Sequence, residues 1–458
     1  MIVNKMTTIE QQVERHALST PDKPAVVSCG TTTTYAQLWA DVCRRTDELR
    51  AAAAPGRLNI FRATADKKFI VEYLSTHRAG MVAMPLEKDL PEARLTALRN
   101  EYGTMVLPPA DDALESIADV LFTTGSTGRQ KGVMVSYRAI IADADNLISS
   151  QGFTTDTTFI ICGPLNHIGS LSKIWPVLAL GGTLVIVDGM KDINSLLGLF
   201  DRSGQHLATF MVPASLRMIL RFGSKRIKEV AQNIDFIETG GAALSQSDID
   251  GLRRLLPGVR LYNTYASTET GIVTTADFSE GTSPAGCTGR PMRNSAVTIT
   301  TDGRIACSGA AVMSGYLGDE TLTRAVLHGG TVVTNDLGEI DSDGRLHIKG
   351  RQNDVINIGG YKVSPQEIED AASDIEAVAD SICIPFHSGI FGDTMKLIYV
   401  VSPGSMLSKR DVARALAAKL ESYKVPRVFE EADSIRHTFN GKPDRRFYLT
   451  GGGEKSDE

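Results

Sequence analysis

The sequence predicts an α/β protein: a large N-terminal domain of layered α/β sheets with a barrel-like β subdomain, then a small mobile α+β domain. Short β-branched runs alternate with helical patterns over most of the first 280 residues, which is typical of parallel layers. From about 284 to 349 the chain changes to short strands separated by glycine turns. The residue pattern changes a second time after the segment 350–365.

The N-terminal strands are predicted from buried apolar runs, and the intervening helices from helical spacing of apolar residues. The predicted strands are MVAMPL (81–86), TFIICGPL (158–165), TLVIVDG (183–189), ATFMVP (208–213) and VRLYNTY (259–265). The helical segments include SLRMILRF (215–222) and SQSDIDGLRRLL (245–256). Alternation of this kind predicts a parallel sheet that is covered by helices.

The β-rich subdomain is predicted from the segments SAVTITTDGRIACSG and LGEIDSDGRLHIKG. Asp-Gly pairs at 302–303 and 343–344 are strong hairpin signals, because glycine accepts the backbone angles of tight turns. We therefore expect antiparallel hairpins within 284–349.

The small domain is predicted to span 354–447, after a large domain of residues 1–351 and a hinge near 352–354. In DVARALAAKLESY (411–423), Val412, Leu416 and Leu420 recur every four residues, which predicts one apolar helix face. The tail 448–458 is polar and glycine-rich, and we expect it to be disordered.

Composition narrows the class of function. The chain has 458 residues and a net charge of -6, which argues against a nucleic-acid partner. Its six cysteines are scattered without a C-x-x-C pair, a pattern that predicts reduced thiols. No apolar stretch is long enough to span a membrane, and the first residues lack the apolar core of a secretory signal. These features predict a cytoplasmic protein.

A glycine- and hydroxyl-rich loop, LFTTGSTGRQKGVMVS (121–136), indicates phosphate binding. It is not a P-loop, because Lys131 is followed by Gly132 and not by a metal-binding hydroxyl. Backbone N–H groups and hydroxyls of such a loop can surround phosphates, and the lysine adds a positive charge. The candidate phosphate-binding residues are Thr123, Thr124, Gly125, Ser126, Thr127, Gly128 and Lys131.

Four further stretches follow this loop. They are NTYASTETG (263–271), TND (334–336), GRQNDVINIGGYKVSPQEIE (350–369) and FNGKPDRR (439–446). Together, in this order and spacing, the five stretches resemble the adenylate-forming superfamily. That superfamily includes acyl- and aryl-CoA synthetases, the adenylation domains of peptide synthetases and firefly luciferase. The resemblance extends from about residue 10 to 447.

The resemblance implies ATP-dependent activation of a carboxylic acid to an acyl-adenylate, release of pyrophosphate, and transfer of the acyl group to the thiol of coenzyme A. Its cofactors would be ATP, Mg²⁺ and coenzyme A. Joining a carboxylate to ATP brings two anions together, so the enzyme must neutralise phosphate charge and align the attacking oxygen.

The resemblance also assigns roles to residues around the nucleotide. Tyr265 would stack on adenine and Asn263 would reach its amino edge. Thr268 would contact the α-phosphate, and Glu269 would bind Mg²⁺, which prefers carboxylates together with phosphate oxygens. The other implied nucleotide- or thiol-channel residues are Gly240, Gly241, Ala242, Thr264, Asp336, Arg351, Gly359 and Gly360, with Asp336 on the ribose.

Lys442 resembles the C-terminal lysine that reaches the site during adenylation. It would bridge the substrate carboxylate and the α-phosphate as negative charge develops. After adenylation the small domain would rotate, and the segment 356–362 would form a channel for the thiol. The hinge position, usually aspartate or lysine in this superfamily, is Asn353 here. Two other departures are Asn335 and Ala266, each in place of the usual glycine.

The acid is predicted to be fatty or aromatic, and of short or medium length. GPLNHIGSL (163–171) resembles the stretch in which a histidine lies beside the substrate carboxylate, which points to His167. The extra methyl of Ala266 would narrow the acyl pocket. The predicted pocket-lining residues are Ile168, Ser170, Phe210, Met211 and Val273.

Alternatives remain open at this point. The acceptor could be the phosphopantetheine of an acyl carrier protein, the enzyme could be an o-succinylbenzoate-type CoA ligase, or the chemistry could continue to a luciferase-like oxygenation. A non-catalytic nucleotide-binding relic would be expected to lose Lys442, Glu269 or Asp336, and all three are present. The oligomeric state is open, with a homodimer among the options.

Overall fold

The computed structural model of the protein describes residues 7–123, 131–189, 193–201, 206–281, 283–354, 356–358, 361–388, 392–438 and 443–449. Within these ranges no helix combines the length and apolar character that a membrane span requires.

The described strands are numbered along the chain. They are β1 (Pro24–Ser28), β2 (Thr31–Thr34), β3 (Leu58–Arg62), β4 (Val82–Leu86), β5 (Ile117–Thr123), β6 (Lys131–Ser136), β7 (Thr157–Ile161), β8 (Thr183–Ile186), β9 (His206–Phe210), β10 (Ile234–Gly240), β11 (Arg260–Ser267), β12 (Gly271–Asp277), β13 (Cys287–Pro291), β14 (Ser295–Ile299), β15 (Arg304–Gly309), β16 (Gly315–Tyr316), β17 (Leu327–His328), β18 (Thr331–Ile340), β19 (Leu346–Arg351), β20 (Ile356–Ile358), β21 (Tyr361–Val363), β22 (Val378–Ser388), β23 (Gly392–Val401) and β24 (Val428–Glu431).

The described α-helices are numbered in the same way. They are α1 (Ile9–Ser19), α2 (Tyr35–Ala52), α3 (Lys67–Arg78), α4 (Glu92–Tyr102), α5 (Tyr137–Gln151), α6 (Ile168–Leu180), α7 (Ile193–Gly198), α8 (Pro213–Met218), α9 (Ser224–Val230), α10 (Gln246–Leu255), α11 (Glu320–Val326), α12 (Pro365–Ser373), α13 (Lys409–Ala417) and α14 (Arg445–Leu449).

The large sheet follows the order β14-β15-β18-β19-β13-β12-β11-β10-β9-β7-β8-β1-β2, and β17 pairs with β18. The pairings from β1 to β8 and from β8 through β7, β9 and β10 to β11 are parallel. This confirms the predicted α/β layering. Three predicted strands were too long: TFIICGPL ends at Ile161, TLVIVDG at Ile186 and ATFMVP at Phe210. After Ile161 and Phe210 the chain turns toward helices α6 and α8. The SLRMILRF helix also divides, since a π-helical turn over Ile219–Gly223 follows α8.

The two predicted Asp-Gly turns are present. Gly303 connects β14 to β15 and Gly344 connects β18 to β19, with φ values of 83° and 74° that favour glycine. These antiparallel strands extend the large sheet, because β13 pairs with β12 on one side and with β19 on the other. In this order β13 lies between β19 and the hairpin formed by β11 and β12.

A second sheet has the order β16-β6-β5-β4-β3. It carries the phosphate-loop candidate, because β5 ends at Thr123 and β6 begins at Lys131 as its antiparallel partner. The short strand β16 pairs with β6, so Tyr316 lies near the point where the loop rejoins the sheet.

The C-terminal part combines helices with a sheet of order β22-β23-β24 and the hairpin β20-β21. Val412 and Leu416 of α13 are fully buried, and Leu420 packs against the same core. This confirms the predicted helix face, although the helix ends at Ala417. The domain limits themselves, the hinge near 352–354 and the mobility of this part stay predictions. The tail predicted to be disordered begins at 448, but residues 448 and 449 end helix α14, so the prediction was wrong for these two. From 450 onward the tail lies outside the described residues.

Candidate active site

Asp336 is at the centre of the residues predicted to bind the nucleotide. The Tyr265 hydroxyl donates to Asp336 Oδ2 at 2.8 Å, and Arg351 Nε donates to Oδ1 at 2.9 Å. The alignment follows from the sheet, since Asp336 on β18 pairs in register with Arg351 at the end of β19. Each carboxylate oxygen therefore has a fixed partner, as a preorganised binding group requires.

Electrostatics favour this arrangement. Burial, followed by the negative charge of Asp336, raises the pKa of Tyr265 well above its usual value, so its phenol keeps the donated proton. Burial acts to lower the pKa of Arg351, but the charge of Asp336 outweighs it and the pKa is raised. The group is thus a neutral phenol, a carboxylate and a guanidinium at neutral pH.

A second group lies at the turn of the β11–β12 hairpin, where Glu269 follows Tyr265 by four residues. Tyr316 donates its hydroxyl to Glu269 Oε1 at 3.1 Å, and Lys131 Nζ lies 5.4 Å from the centre of the Tyr316 ring. Burial and then Glu269 raise the Tyr316 pKa, which keeps its hydroxyl protonated. The structure thus brings the proposed metal ligand close to the lysine of the phosphate loop.

Glu269 fits the role of a magnesium ligand in donor type and setting. Its carboxylate is half-buried and is oriented by one neutral hydroxyl, so its oxygens keep acceptor capacity for a cation. Thr268 beside it is also half-buried.

Several predicted residues lie outside the described ranges. They are Thr124, Gly125, Ser126, Thr127, Gly128, Gly359, Gly360 and Lys442. The backbone of Asn353 is described, but its side chain is not. What the structure does show is the base of the phosphate loop, where Thr123 and Lys131 pair directly.

Asn263 and Thr264 point to opposite faces of β11, because neighbouring strand residues alternate. The Asn263 amide donates to the Cys287 carbonyl at 2.9 Å, on the same face as Tyr265. The Thr264 hydroxyl instead contacts Gln151 and Thr275 at 3.2 and 3.1 Å, within a buried polar network. The side chain of Thr264 is therefore hydrogen-bonded on the face of β11 opposite Tyr265.

The glycine segment 240–242 lies at the end of β10. A Cβ on Gly240 would come within 2.6 Å of the Thr264 carbonyl oxygen, so this close approach requires glycine. Gly241 has φ of 80° and is exposed, and Ala242 is half-buried. The strand thus ends in an open turn beside β11, as expected for a ligand edge of an α/β sheet.

His167 is the residue that precedes α6 and caps its N-terminus. Burial lowers the pKa of its imidazole, which is consequently neutral at physiological pH. The backbone N–H groups at a helix N-terminus favour a negatively charged ligand. A carboxylate beside His167 would therefore be stabilised by the N–H groups at the start of α6 and not by a positive charge on the imidazole.

The residues predicted to line the acyl pocket lie in different parts of the structure. Phe210 at the end of β9 is half-buried, and its ring would lie 3.2 Å from a Cβ on Gly169 and 3.7 Å from one on Gly240. Ile168, Ala266 and Phe210 pack against the same hydrophobic core. Ser170 is buried on α6.

Two pocket predictions were wrong. Met211 belongs to the core on the other face of the large sheet, since the strand alternation turns it away from Phe210. Val273 is fully buried against Tyr265 in the nucleotide-side core. Neither side chain lies with Phe210.

The sequence reasoning missed three residues of this region: Tyr316, Lys173 and Glu238. Tyr316 is a tyrosine in a loop-like SGYLGD segment, so only its pairing with β6 reveals its role. Lys173 and Glu238 form a buried ion pair at 2.8 Å. Lys173 is the one charged residue of the mostly apolar helix α6, and this was an available signal, because lysine is rarely buried unless paired.

The segment that follows Lys442 is anchored in the C-terminal part. Arg445 contacts Glu369 at 2.6 Å and the Cys383 carbonyl at 2.5 Å, and it lies 3.6 Å from Asp354. These contacts link the residues after the predicted catalytic lysine to the 3₁₀ turn at the predicted hinge.

Comparisons with known proteins agree with this architecture. Residues 100–317 match the family model of the AMP-binding enzymes. Over 343 residues the chain is 32% identical to the 2-succinylbenzoate–CoA ligases of Staphylococcus aureus strains JH9 and Mu50. The alignment covers 72% of this chain and 66% of those relatives, just under two thirds of their length.

Solved structures show the same fold along nearly the whole chain. ATP-bound MatB from Rhodopseudomonas palustris has a TM-score of 0.85 at 23% identity, covering 97% of this chain and 99% of that one. The O-succinylbenzoate coenzyme A synthetase (MenE) from Bacillus subtilis, in complex with ATP and a magnesium ion, has a TM-score of 0.82 at 21% identity and covers 95% and 98%. Residues 100–317 therefore match the AMP-binding enzymes in sequence, within a chain that has the fold of these solved structures along nearly its whole length.

Proposed function

We propose that this protein is an ATP-dependent acid–thiol ligase, which activates a carboxylic acid as its acyl-adenylate and transfers the acyl group to coenzyme A. One observation carries the proposal: a single hairpin, β11–β12, holds both the Tyr265–Asp336–Arg351 group and the Glu269–Tyr316–Lys131 group. Tyr265, which holds the proposed ribose-binding carboxylate of Asp336, is four residues before Glu269, the proposed metal ligand. This spacing suits a nucleoside triphosphate, whose ribose and phosphates would bind at the two groups.

The adenine and ribose would bind at the first group. Arg351 and the Asp336 carboxylate would hold the ribose hydroxyls, and Tyr265 would orient Asp336. Fixing the ribose in this way places the α-phosphorus at a constant position relative to the acid.

The triphosphate would extend toward Glu269 and Lys131. A bound Mg²⁺ would neutralise part of the phosphate charge, with Glu269 as its protein ligand. Lys131 would add a positive charge at the base of the phosphate loop. Departure of pyrophosphate, which takes the electron pair of the broken P–O bond, is favoured by these positive charges.

The acid would enter beside His167, with its carboxylate near the N-terminus of α6 and its chain toward Phe210. Lys442 would stabilise the negative charge that develops as the carboxylate attacks. The thiol of coenzyme A would then displace AMP from the acyl-adenylate, after the predicted rotation of the small domain.

An aromatic acid is the first substrate to test, since the 2-succinylbenzoate–CoA ligases are about one-third identical over the aligned region. The phosphopantetheine arm of a carrier protein stays an alternative acceptor, because its reacting thiol is chemically the same as that of coenzyme A.

The test is acid-dependent release of pyrophosphate from ATP, with and without coenzyme A. The panel would contain 2-succinylbenzoate, substituted benzoates, octanoate and phenylalanine. We expect release with one acid class, faster turnover with coenzyme A and formation of the acyl-CoA. Release that never depends on an acid would contradict the proposal, and release unaffected by coenzyme A would favour the carrier-protein acceptor.

A further inference from the structure

A buried ion pair lies next to the proposed acid pocket. Lys173 Nζ of α6 is 2.8 Å from Glu238 Oε1 of β10, and their side chains are 1% and 0% exposed. Removing two charges from water costs several kcal/mol per ion, and a pair of apolar side chains would often be at least as stable here. The pair therefore calls for an explanation beyond the stability of the fold.

The position of the pair connects it to the pocket. Glu238 faces Phe210 in register across β10 and β9, and Gly240 follows two residues later on the same face. Lys173 Nζ lies 5.3 Å from the centre of the Phe210 ring. The Phe210 ring also lies within 4 Å of where a Cβ on Gly169 or Gly240 would be. This one half-buried ring is therefore close both to the ion pair and to the end of β10.

The pair has unused hydrogen-bonding capacity. Glu238 Oε2 is buried and has no hydrogen-bond partner among the described residues. A buried acceptor without a donor is costly, and such atoms in native structures call for a water, an ion or a ligand group. The free atom is a carboxylate oxygen, so the missing partner is a hydrogen-bond donor.

We propose that Lys173 and Glu238 form a polar inner end of the acid pocket, where Glu238 Oε2 accepts a hydrogen bond from a hydroxyl or amino group on the substrate. This inference rests on the proposed function and narrows its substrate class. It favours an acid with a donor at its far end over a purely aliphatic acid. It also disfavours a second carboxylate at that point, because Glu238 would repel it.

The test compares the equilibrium binding of matched acids by titration calorimetry. The pairs are benzoate with 4-hydroxybenzoate, and 3-phenylpropanoate with 3-(4-hydroxyphenyl)propanoate, which reach different depths. A hydrogen bond to a charged acceptor should make the hydroxylated member of at least one pair bind about 10–100-fold more tightly to the wild-type protein. In the double variant Lys173→Met/Glu238→Leu, which removes both charges together, we expect the two members to bind equally.

A matched control is His77→Gln, which disrupts a different buried ion pair and should leave the discrimination unchanged. The inference is overturned if wild-type protein does not prefer the hydroxylated acids, or if the double variant keeps that preference. In either case, pyrophosphate release with any acid would leave the proposed function standing. Absence of both acid binding and acid-dependent release would overturn the two together.

Discussion

Helix α6 takes part in two buried polar clusters that differ in setting. In the first, the indole N–H of Trp175 donates to the Tyr73 hydroxyl at 3.0 Å, and Tyr73 donates to Asp119 at 2.7 Å. His77 lies 2.8 Å from Asp119 and 3.2 Å from Glu10, and these residues with Tyr73 form what we call the His77 cluster. In the second, Lys173 pairs with Glu238.

Burial of charge does not by itself distinguish the two. Each leaves one buried carboxylate oxygen without a partner among the described residues, Oε2 of Glu10 and Oε2 of Glu238. The difference is what surrounds them: His77 is packed between the rings of Tyr73 and Tyr137, whereas Glu238 faces the half-buried Phe210 near the strand ends. Position relative to the ligand edge of the sheet, not charge burial alone, marks a candidate binding group.

The largest expected effect is on stability, from His77→Gln. Burial lowers the pKa of His77, but the charges of Asp119 and Glu10 outweigh it and raise the pKa from 6.5 to about 10. The cluster therefore stabilises the folded protein fully below pH 6.5, and this stabilisation is lost as the pH rises through about 10. Removing the cation should lower the unfolding free energy by about 3–5 kcal/mol at pH 6.5, measured by urea unfolding.

The control for that measurement is His16→Gln, which replaces a half-buried histidine hydrogen-bonded to the Ala179 carbonyl. His16→Gln should lower the unfolding free energy by less than His77→Gln does. A His77→Gln penalty that stays constant from pH 6.5 to 10 would contradict the account of a buried imidazolium.

A second variant tests the nucleotide side without touching either cluster. Asp336→Asn removes the charge that holds Arg351 and weakens the acceptor of the Tyr265 hydroxyl. We expect the KM for ATP to rise about 10–100-fold, the range for charged hydrogen bonds, while acid discrimination is unchanged. Steady-state kinetics with varied ATP would measure this.

Asp302→Asn is the matched control, because Asp302 is a turn carboxylate that pairs with Arg304 in the same β-rich region. Its KM for ATP should equal that of wild type. If Asp336→Asn behaved like this control, Asp336 would have only a structural role.

The smallest predicted effect concerns Tyr316→Phe. Loss of the hydroxyl removes the hydrogen bond that Tyr316 donates to Glu269 Oε1 but leaves the ring beside Lys131. The Mg²⁺ concentration for half-maximal activity should rise about 3–10-fold, as expected for one neutral donor. Direct Mg²⁺–ATP binding by calorimetry should weaken by a similar factor.

Tyr262→Phe removes a hydroxyl that contacts Arg260 elsewhere on β11 and serves as the comparison. An equal change in both variants would mean that Tyr316 does not act through Glu269.

The structure brings together more of the residues predicted for the nucleotide than of those predicted for the acid. Tyr265, Glu269 and Asp336 lie in short motifs whose residue types are dictated by phosphate, ribose and metal chemistry, and the structure brings them to one hairpin. The alternation of strands and helices likewise predicted the parallel sheet, since buried strands require continuous apolar runs.

The acid side depends on contacts between elements that are distant in the chain. Glu238 and Lys173 are 65 residues apart, and only the packing of α6 over β10 brings them together. Met211 and Val273 were placed in the pocket from their apolar character, but strand alternation directs them into other cores. Tyr316 was missed because its two-residue strand has no pattern of its own.

The most direct test of the central claim is acid-dependent exchange of labelled pyrophosphate into ATP, measured without coenzyme A. Exchange requires reversible formation of an acyl-adenylate and nothing later in the reaction. We predict exchange that depends on one acid class and on Mg²⁺, and that falls about 10²–10³-fold in Lys442→Ala. Acid-independent exchange, or exchange of equal rate in Lys442→Ala, would contradict the account.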